Sequence, residues 1–203
     1  GIGRPTEVDL ASEAAGQLWL PDDCEHWHDS NLGTNAFGQG LAVTPLQMIT
    51  AVATVANDGT RLRPHIVARR IAPDGAVYTF QSLIEAQVLS PQTAHTVTEM
   101  MMRTVDEGVP GAQVAGYRVA GKTGTAQIPI PGGYDREATI VSFVGFGPVP
   151  DPQIIILVKL DRPKTSSWAS DTAALTFRRL ASRLFVVLDI PPNGIEAAEA
   201  VTR

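Results

Sequence analysis

The sequence predicts an α/β (α+β) domain, an antiparallel sheet flanked by helices, and three observations carry that expectation. Apolar residues recur at helical spacing behind the proline-marked starts Thr44-Pro45 and Ser90-Pro91. Two β-rich runs, residues 138–147 and 153–160, flank Pro148-Val149-Pro150-Asp151-Pro152, a reversal that proline keeps out of a strand. The 203 residues are 44% hydrophobic, enough to enclose one core.

Taken in order, residues 1–43 are rich in Gly, Asp, Ser and Asn without a sustained period, and are expected to form a loop-rich segment. Residues 44–190 then carry the helices and the sheet. Thr44 caps a helix bearing Leu46, Ile49, Ala53 and Ala56, which ends where Asn57-Asp58-Gly59 tolerates positive φ. Its alanines, Ala51, Ala53 and Ala56, allow close packing. Residues 66–71 and 76–80 flank Pro73-Asp74-Gly75 and predict a hairpin. Ser90-Pro91 opens a second helix with Val97, Met100, Met101 and Val105, stopping at Gly108; its three methionines read as adaptable core packing. From Tyr117 the pattern turns to strand. Ile154 to Val158 is apolar on both faces, which predicts a central strand. Ser170-Asp171 is expected to cap a last helix whose buried stripe is Ala174, Phe177, Leu180, Ala181, Leu184 and Val187. Pro191-Pro192 stops it, and in the tail, residues 191–203, the part after Gly194 is expected to be mobile.

Charged residues make up 18% of the chain and the net charge is −5, with no Lys/Arg cluster able to neutralise a row of phosphates, so no nucleic acid partner is expected. Arg61, Arg63, Arg69 and Arg70, broken by Pro64 and His65, read as a solvated hairpin face. No apolar run approaches the ~20 residues needed to span a bilayer. The chain opens at Gly1-Ile2-Gly3 without a methionine, which suggests a fragment with any export signal or anchor upstream. The single cysteine, Cys24, excludes an internal disulfide. On an extended segment Cys24, His26 and His28 would line one side with Asp22, a conceivable metal site. No second ligand pair accompanies them, so a polar loop anchored by Trp27 is the preferred reading, and neither metal nor cofactor is expected. His65 and His95 read as surface or helix-end residues. Asp106-Glu107, before the helix-ending Gly108, is mildly unfavourable to the helix dipole and suggests no function.

The chemistry concentrates in Val119-Ala120-Gly121-Lys122-Thr123-Gly124-Thr125-Ala126-Gln127. Gly116 to Thr123 spells G-x-x-x-x-G-K-T, the phosphate loop of nucleotide hydrolases, and Leu157 to Asp161 imitates a Mg²⁺-binding strand. That loop requires a helix directly after its lysine. Here Gly124, Pro129, Pro131, Gly132 and Gly133 follow, which no helix survives. As a strand, the stretch places Thr123 and Thr125 on one face and Lys122, Gly124 and Ala126 on the other. A lysine, two hydroxyls and a glycine on an edge strand suit an anionic, extended, peptide-like ligand that adds as a further strand. An ordinary edge strand protected by lysine fits the same residues.

Lys122-Thr123-Gly124 is also one of three motifs shared by penicillin-binding proteins and related β-lactamases. The chain resembles the class B penicillin-binding proteins over nearly all of its length. Gly1 to Leu10 with Glu13-Ala14-Ala15-Gly16 resembles the segment following that family's second motif. Phe37 to Met48 is similar to its glycine-rich turn into a helix; Ala120 to Gln127 and Ser142 to Pro148 resemble its third-motif strand and the return strand. The resemblance implies part of the penicillin-binding/serine β-lactamase-like transpeptidase fold, with residues 1–203 the carboxy-terminal portion of one domain. It implies an extracytoplasmic peptidoglycan D,D-transpeptidase, anchored by an upstream transmembrane helix, that acylates a serine with stem peptides or β-lactams. A glycosyltransferase and divisome or elongasome proteins would be its partners. By position, Lys122 would bring positive charge to the substrate carboxylate and assist proton movement, Thr123, Gly124 and Thr125 would bind the substrate, and the Thr125 amide would form half of the oxyanion hole.

One departure from the family pattern is large. The residues three positions before Lys122, Lys159 and Lys164 are Val119, Ile156 and Asp161, so no S-x-x-K exists in this chain and no nucleophile is expected. Ser170-Asp171-Thr172 only superficially resembles the second motif and follows Lys122 instead of preceding it. The chain alone is therefore expected to be inactive, and to rely on the missing amino-terminal half to pair the edge of residues 153–160; by itself it would associate, swap or aggregate. Residues 127–137 are expected to be a connection able to gate the groove. A β-lactam sensor, a serine β-lactamase and a non-catalytic binding module share the third motif and remain rivals.

Overall fold

The computed structural model describes residues 1–193, except the side chains of Pro129, Arg136 and Glu137. The tail expected to be mobile after Gly194 lies outside the described residues. The architecture is mixed α/β, with a three-stranded antiparallel sheet between two helical layers and two small two-stranded sheets, one of them a hairpin, beside it.

The loop-rich opening contains one short helix, α1 (Ser30–Ala36), and is tied across by a bridge between Gln17 and Ala42. Helix α2 (Pro45–Ala56) starts as the sequence predicts. The Thr44 hydroxyl accepts from the Gln47 amide at 3.1 Å while the Gln47 side chain accepts from the Thr44 amide at 2.9 Å, a reciprocal capping box. Gln47 is buried and its amide nitrogen donates to Arg4 O and Ala15 O, both at 2.7 Å, so the helix start also fastens the opening loop. Asp58 and Gly59 after the helix both have positive φ.

Strand β1 (Thr60–Leu62) pairs with β4 (Ile84–Gln87), and β2 (Arg69–Ile71) with β3 (Val77–Thr79) around the predicted turn. Arg61 and Arg63 do not form the solvated face expected of them: Glu85 bridges them at 2.8 and 3.3 Å, and Glu7 meets Arg63 at 2.6 Å. Arg69 and Arg70 are exposed as expected.

Helix α3 (Pro91–Arg103), capped by Ser90, runs on through a π-turn to Gly108. Met102 and Val105 are its buried anchors, whereas Met100 is 62% exposed, against the expectation that all three methionines pack. Strands β5 (Ala120–Ile130), β6 (Gly133–Gly147) and β7 (Ile154–Asp161) form the sheet in the order β5-β6-β7. β7, expected to be central in a whole domain and to have an unpaired edge in this chain, is at an edge of the sheet among the described residues. Its apolar run is explained by helices on both faces: Ile154 and Ile156 pack with the core beneath the last helix, and Ile155 with the core near α2 and α3. Residues 127–137 are not a separate connection either. The two strands continue past Gln127 to the turn between Ile130 and Gly133, with a register shift between Gln127 and Pro129.

The last helix, α4 (Ala173–Val187), begins later than expected. Ser170 and Asp171 lie in a preceding 3₁₀ turn, where the Asp171 carboxylate accepts from the Ser166 and Ser170 hydroxyls. Its buried stripe is Ala173, Ala174, Phe177, Ala181 and Phe185, a four-residue repeat. Leu180 (43% exposed) and Val187 (77%) point away from it, correcting the predicted stripe.

Candidate functional site

The site is built on β5 and its two neighbours in space, β6 and the solvent. β5 pairs with β6 through Lys122↔Val144, Thr123↔Phe143, Gly124↔Ser142 and Thr125↔Val141, and its other edge pairs with no strand among the described residues. The phase of the ladder follows from the next pair of strands. The Arg162 amide donates to Thr139 O at 3.0 Å, so the odd-numbered residues of β6 turn their backbone groups to β7 and the even-numbered ones to β5. Lys122 and Gly124 therefore bond inward to Val144 and Ser142, leaving the amides and carbonyls of Gly121, Thr123 and Thr125 facing the bare edge.

Side chains alternate the other way. Thr123 and Thr125 share a face with Phe143 and Val141, whereas Lys122 and Gly124 share the opposite face with Val144 and Ser142. The exposed lysine nonetheless curls round the strand. Its Nζ donates to Thr123 O and Thr123 Oγ1, each at 3.3 Å, so ammonium, hydroxyl and outward carbonyl meet at one edge. Thr125 is exposed and Thr123 half-buried. A Cβ on Gly124 would lie 2.6 Å from Ser142 Oγ, so the return strand's hydroxyl fills the space a side chain would need. Sequence reasoning did not single out Ser142. No sequence signal marks it, because its place opposite Gly124 is set by the β5–β6 register.

The segment after Lys122 is strand as far as Ile130, with no helix to hold phosphates, which removes the nucleotide-hydrolase reading. The row of Asp22, Cys24, His26 and His28 is not lined up on one side. Residues 21–26 turn instead of running extended, His26 stacks on Trp19 at 4.3 Å, and its Nδ1 lies 3.1 Å from Asp23 Oδ1. That contact with His26 and the backbone bonds around it hold the Asp23 carboxyl below its usual range. Trp19, stacked on His26, joins the half-buried Trp27, whose amide donates to Asp23 O at 2.9 Å, in this loop. No group of three or more His, Cys, Asp or Glu side chains gathers for a metal among the described residues. His65 is exposed, and His95 pairs with Asp58 at 2.9 Å at the surface. A cavity of about 830 Å³ between the opening arm, α2, β1 and β4 is lined by Gln47, Arg61 and Glu85, away from Lys122. No described helix is long and apolar enough to cross a membrane.

An edge strand that offers outward amides, hydroxyls and a cation is chemically suited to an extended chain ending in a carboxylate. The Penicillin binding protein transpeptidase domain family matches residues 1–182. The chain is similar to penicillin-binding protein PbpB of Mycolicibacterium smegmatis, 37% identical over 203 residues that cover 94% of this chain and 31% of that protein. It is similar to the peptidoglycan D,D-transpeptidase FtsI of Buchnera aphidicola, 29% identical over 198 residues, covering 95% of this chain and 33% of that one. Among solved structures it superimposes on penicillin binding protein 3 of Mycobacterium tuberculosis complexed with ampicillin, with a TM-score of 0.85 and 34% identity, covering 95% of this chain and 45% of that chain. The chain thus spans about a third of the length of these curated relatives. It belongs to the penicillin-binding protein transpeptidase family, as part of a transpeptidase domain whose homologues are the class B penicillin-binding proteins.

Proposed function

We propose that residues 1–203 are the carboxy-terminal portion of the transpeptidase domain of a peptidoglycan D,D-transpeptidase, and that this chain supplies the substrate-binding strand but not the nucleophile. The portion comprises the loop-rich segment 1–43, the helices and sheet of 44–190 and the tail 191–203. In the reaction, a serine supplied from outside this chain attacks the penultimate D-alanine carbonyl of a stem peptide. The terminal D-alanine leaves with a proton, and an amino group of a second stem then displaces the serine to form the cross-link. β-Lactams would acylate the same serine.

The observation that supports this reading most is the bare edge of β5, where the Thr123 and Thr125 backbone groups face outward beside the Lys122 ammonium. A stem peptide laid along that edge as an added strand would take over the Thr123 carbonyl from Lys122. The released ammonium would then sit near the substrate carboxylate, with the Thr123 and Thr125 hydroxyls donating to it. Gly124 lets the ligand backbone approach without a side chain in the way. The Thr125 amide would donate to the developing oxyanion, a contact whose loss costs about 3 kcal/mol of barrier in comparable sites. The parent protein would work outside the cytoplasm, held by an upstream transmembrane helix, beside a glycosyltransferase and division or elongation proteins.

Labelling with a fluorescent penicillin tests both halves of the proposal. The full-length protein is expected to be labelled covalently and the isolated 203-residue chain to remain unlabelled. Labelling of the isolated chain would overturn the missing-nucleophile reading, and an unlabelled full-length protein would overturn the transpeptidase reading.

A further inference from the structure

The β2–β3 hairpin stands apart from both cores, and its six strand residues are all exposed. A two-stranded hairpin with both faces in water is marginal on its own. This one nevertheless carries Ile71, Val77, Tyr78 and Phe80, each at least 45% exposed, where a solvated hairpin would carry polar residues.

Its two edges are treated differently. The bonds from the Ala72 amide to Ala76 O and from the Phe80 amide to Ala68 O fix the phase of the ladder. Even-numbered residues bond across the hairpin, and odd-numbered ones face outward. On the β2 side the outward direction is already occupied near the start: the Asp9 carboxylate accepts from the Ile66 and Val67 amides at 2.7 and 2.8 Å. On the β3 side the amides of Val77 and Thr79 meet no acceptor among the described residues. Exposed edges are shielded by shortness, lysine, proline or a bulge, and the three-residue strand Val77-Tyr78-Thr79 has only its shortness.

Charge narrows the kind of partner. Arg69 and Arg70 form no ion pair with an acidic side chain among the described residues, and Arg70 lies over the Tyr78 ring at 5.2 Å. Asp74 is the one carboxylate within residues 66–80, and it sits at the turn accepting from the Ala76 amide. The chain as a whole carries a net charge of −5, so two unpaired guanidiniums beside an open strand are a local reversal of sign.

We propose that the β3 edge is a docking strand for another protein, which contributes an extended segment of alternating apolar and acidic residues. The segment pairs with the Val77 and Thr79 amides, lays its apolar side chains on the face of Val77 and Ile71, and presents its carboxylates on the opposite face, toward Arg70. This surface is independent of the Lys122 strand and of the transpeptidase reading.

The test uses the full-length protein and a fluorescein-labelled octapeptide of alternating glutamate and valine, followed by anisotropy. Saturable binding is expected, weakened about tenfold by Arg70→Glu and by Val77→Asp, and absent for a lysine–valine peptide. Both substitutions are at exposed positions, and an unchanged melting temperature and unchanged penicillin labelling will show that the rest of the protein is intact. Hydrogen exchange should slow at the Val77 and Thr79 amides on peptide binding. Equal binding of the two peptides, no binding, or binding insensitive to both substitutions overturns the proposal. So does self-association abolished by Val77→Asp, which would make a second copy of the chain the occupant.

Discussion

The two faces of the β5-β6-β7 sheet come from the same strands, yet they are finished differently. On the face toward α4, Val141, Phe143 and Val158 meet Phe177, Ala181 and Phe185 in one continuous core, with the Phe143 and Phe177 rings 4.7 Å apart. On the other face only one end is filled, where Ala120, Phe146 and Met102 pack with Val52, Val55 and Ile155. Farther along that second face lie Lys122 and Lys159, exposed, and Gly124 and Ser142, half-covered. The filled face explains why the sheet holds together. The open stretch of the second face carries Lys122 and Gly124, whereas Thr123 and Thr125 lie on the face toward α4, with Thr125 exposed. Stability should therefore rest chiefly on the packed α4 face and function on the uncovered residues of β5, and substitutions can break or sharpen that division.

The largest effect is expected from Phe177→Ala. Truncating a fully buried ring in a close-packed core costs about 3–5 kcal/mol, and the denaturation midpoint should fall accordingly. A loss below about 1 kcal/mol would mean that the α4 face is not the main support. Lys122→Ala should do the reverse. In the full-length protein the acylation rate by penicillin should drop about 100-fold, the lower range for removing a positioned proton-transfer group, with the melting temperature unchanged. A matching fall in melting temperature would show Lys122 to be structural.

Two glycines three residues apart give a finer comparison. A Cβ at Gly121 would fall against the buried Phe143 ring and 3.1 Å from Val144 O, where nothing can give way. Gly121→Ala should therefore cost about 1–3 kcal/mol of stability. At Gly124 the Cβ meets only Ser142 Oγ, the end of a short side chain that can rotate away. Gly124→Ala should cost less stability and more penicillin acylation, and adding Ser142→Ala should restore the stability but not the acylation. Equal destabilisation by the two glycine substitutions would erase the distinction between the faces.

Much of this organisation was legible because local chemistry decided it. Thr44 with Gln47, Ser90 before Pro91 and the Pro73-Asp74-Gly75 turn all specify their elements within a few residues. The antiparallel sheet and its proline-bearing reversal followed from β-rich runs of the expected length. What stayed hidden depended on neighbours distant in sequence. An apolar run such as Ile154 to Val158 reports cover on both faces, which α2, α3 and α4 supply, and cannot report how many strands pair with its edges. Leu180 and Val187 match a helical period as well as Phe185 does, and only the position of the sheet selects Phe185. Pro129 suggested that β5 should stop, yet the register shift lets the ladder resume beyond it. At the candidate site the residue types and their alternation were readable, while the outward phase of Thr123 and Thr125 and the role of Ser142 required the pairing register.

The smallest expected effect lies outside the sheet and sharpens the comparison by leaving both faces alone. Asp9 accepts from the Val67 and Ile66 amides, and these bonds hold its carboxyl below the ordinary value of 3.8. A carboxyl whose folded pKa is depressed contributes its stabilisation fully above the unfolded pKa and loses it as the pH falls through the folded one. The clamp between the opening arm and the base of the β2–β3 hairpin should therefore be intact at neutral pH and release only below about pH 4. Because this carboxyl is exposed, release should appear as a local opening. Hydrogen-exchange protection at the Ile66 and Val67 amides, corrected for the intrinsic rate, should fall with acid while the amides of residues 141–146 keep theirs. Asp9→Asn should show low protection at those two amides across the whole range, with no acid step. If Ile66 and Val67 lose protection together with the sheet, the arm and hairpin share its stability and do not form a separately adjustable part.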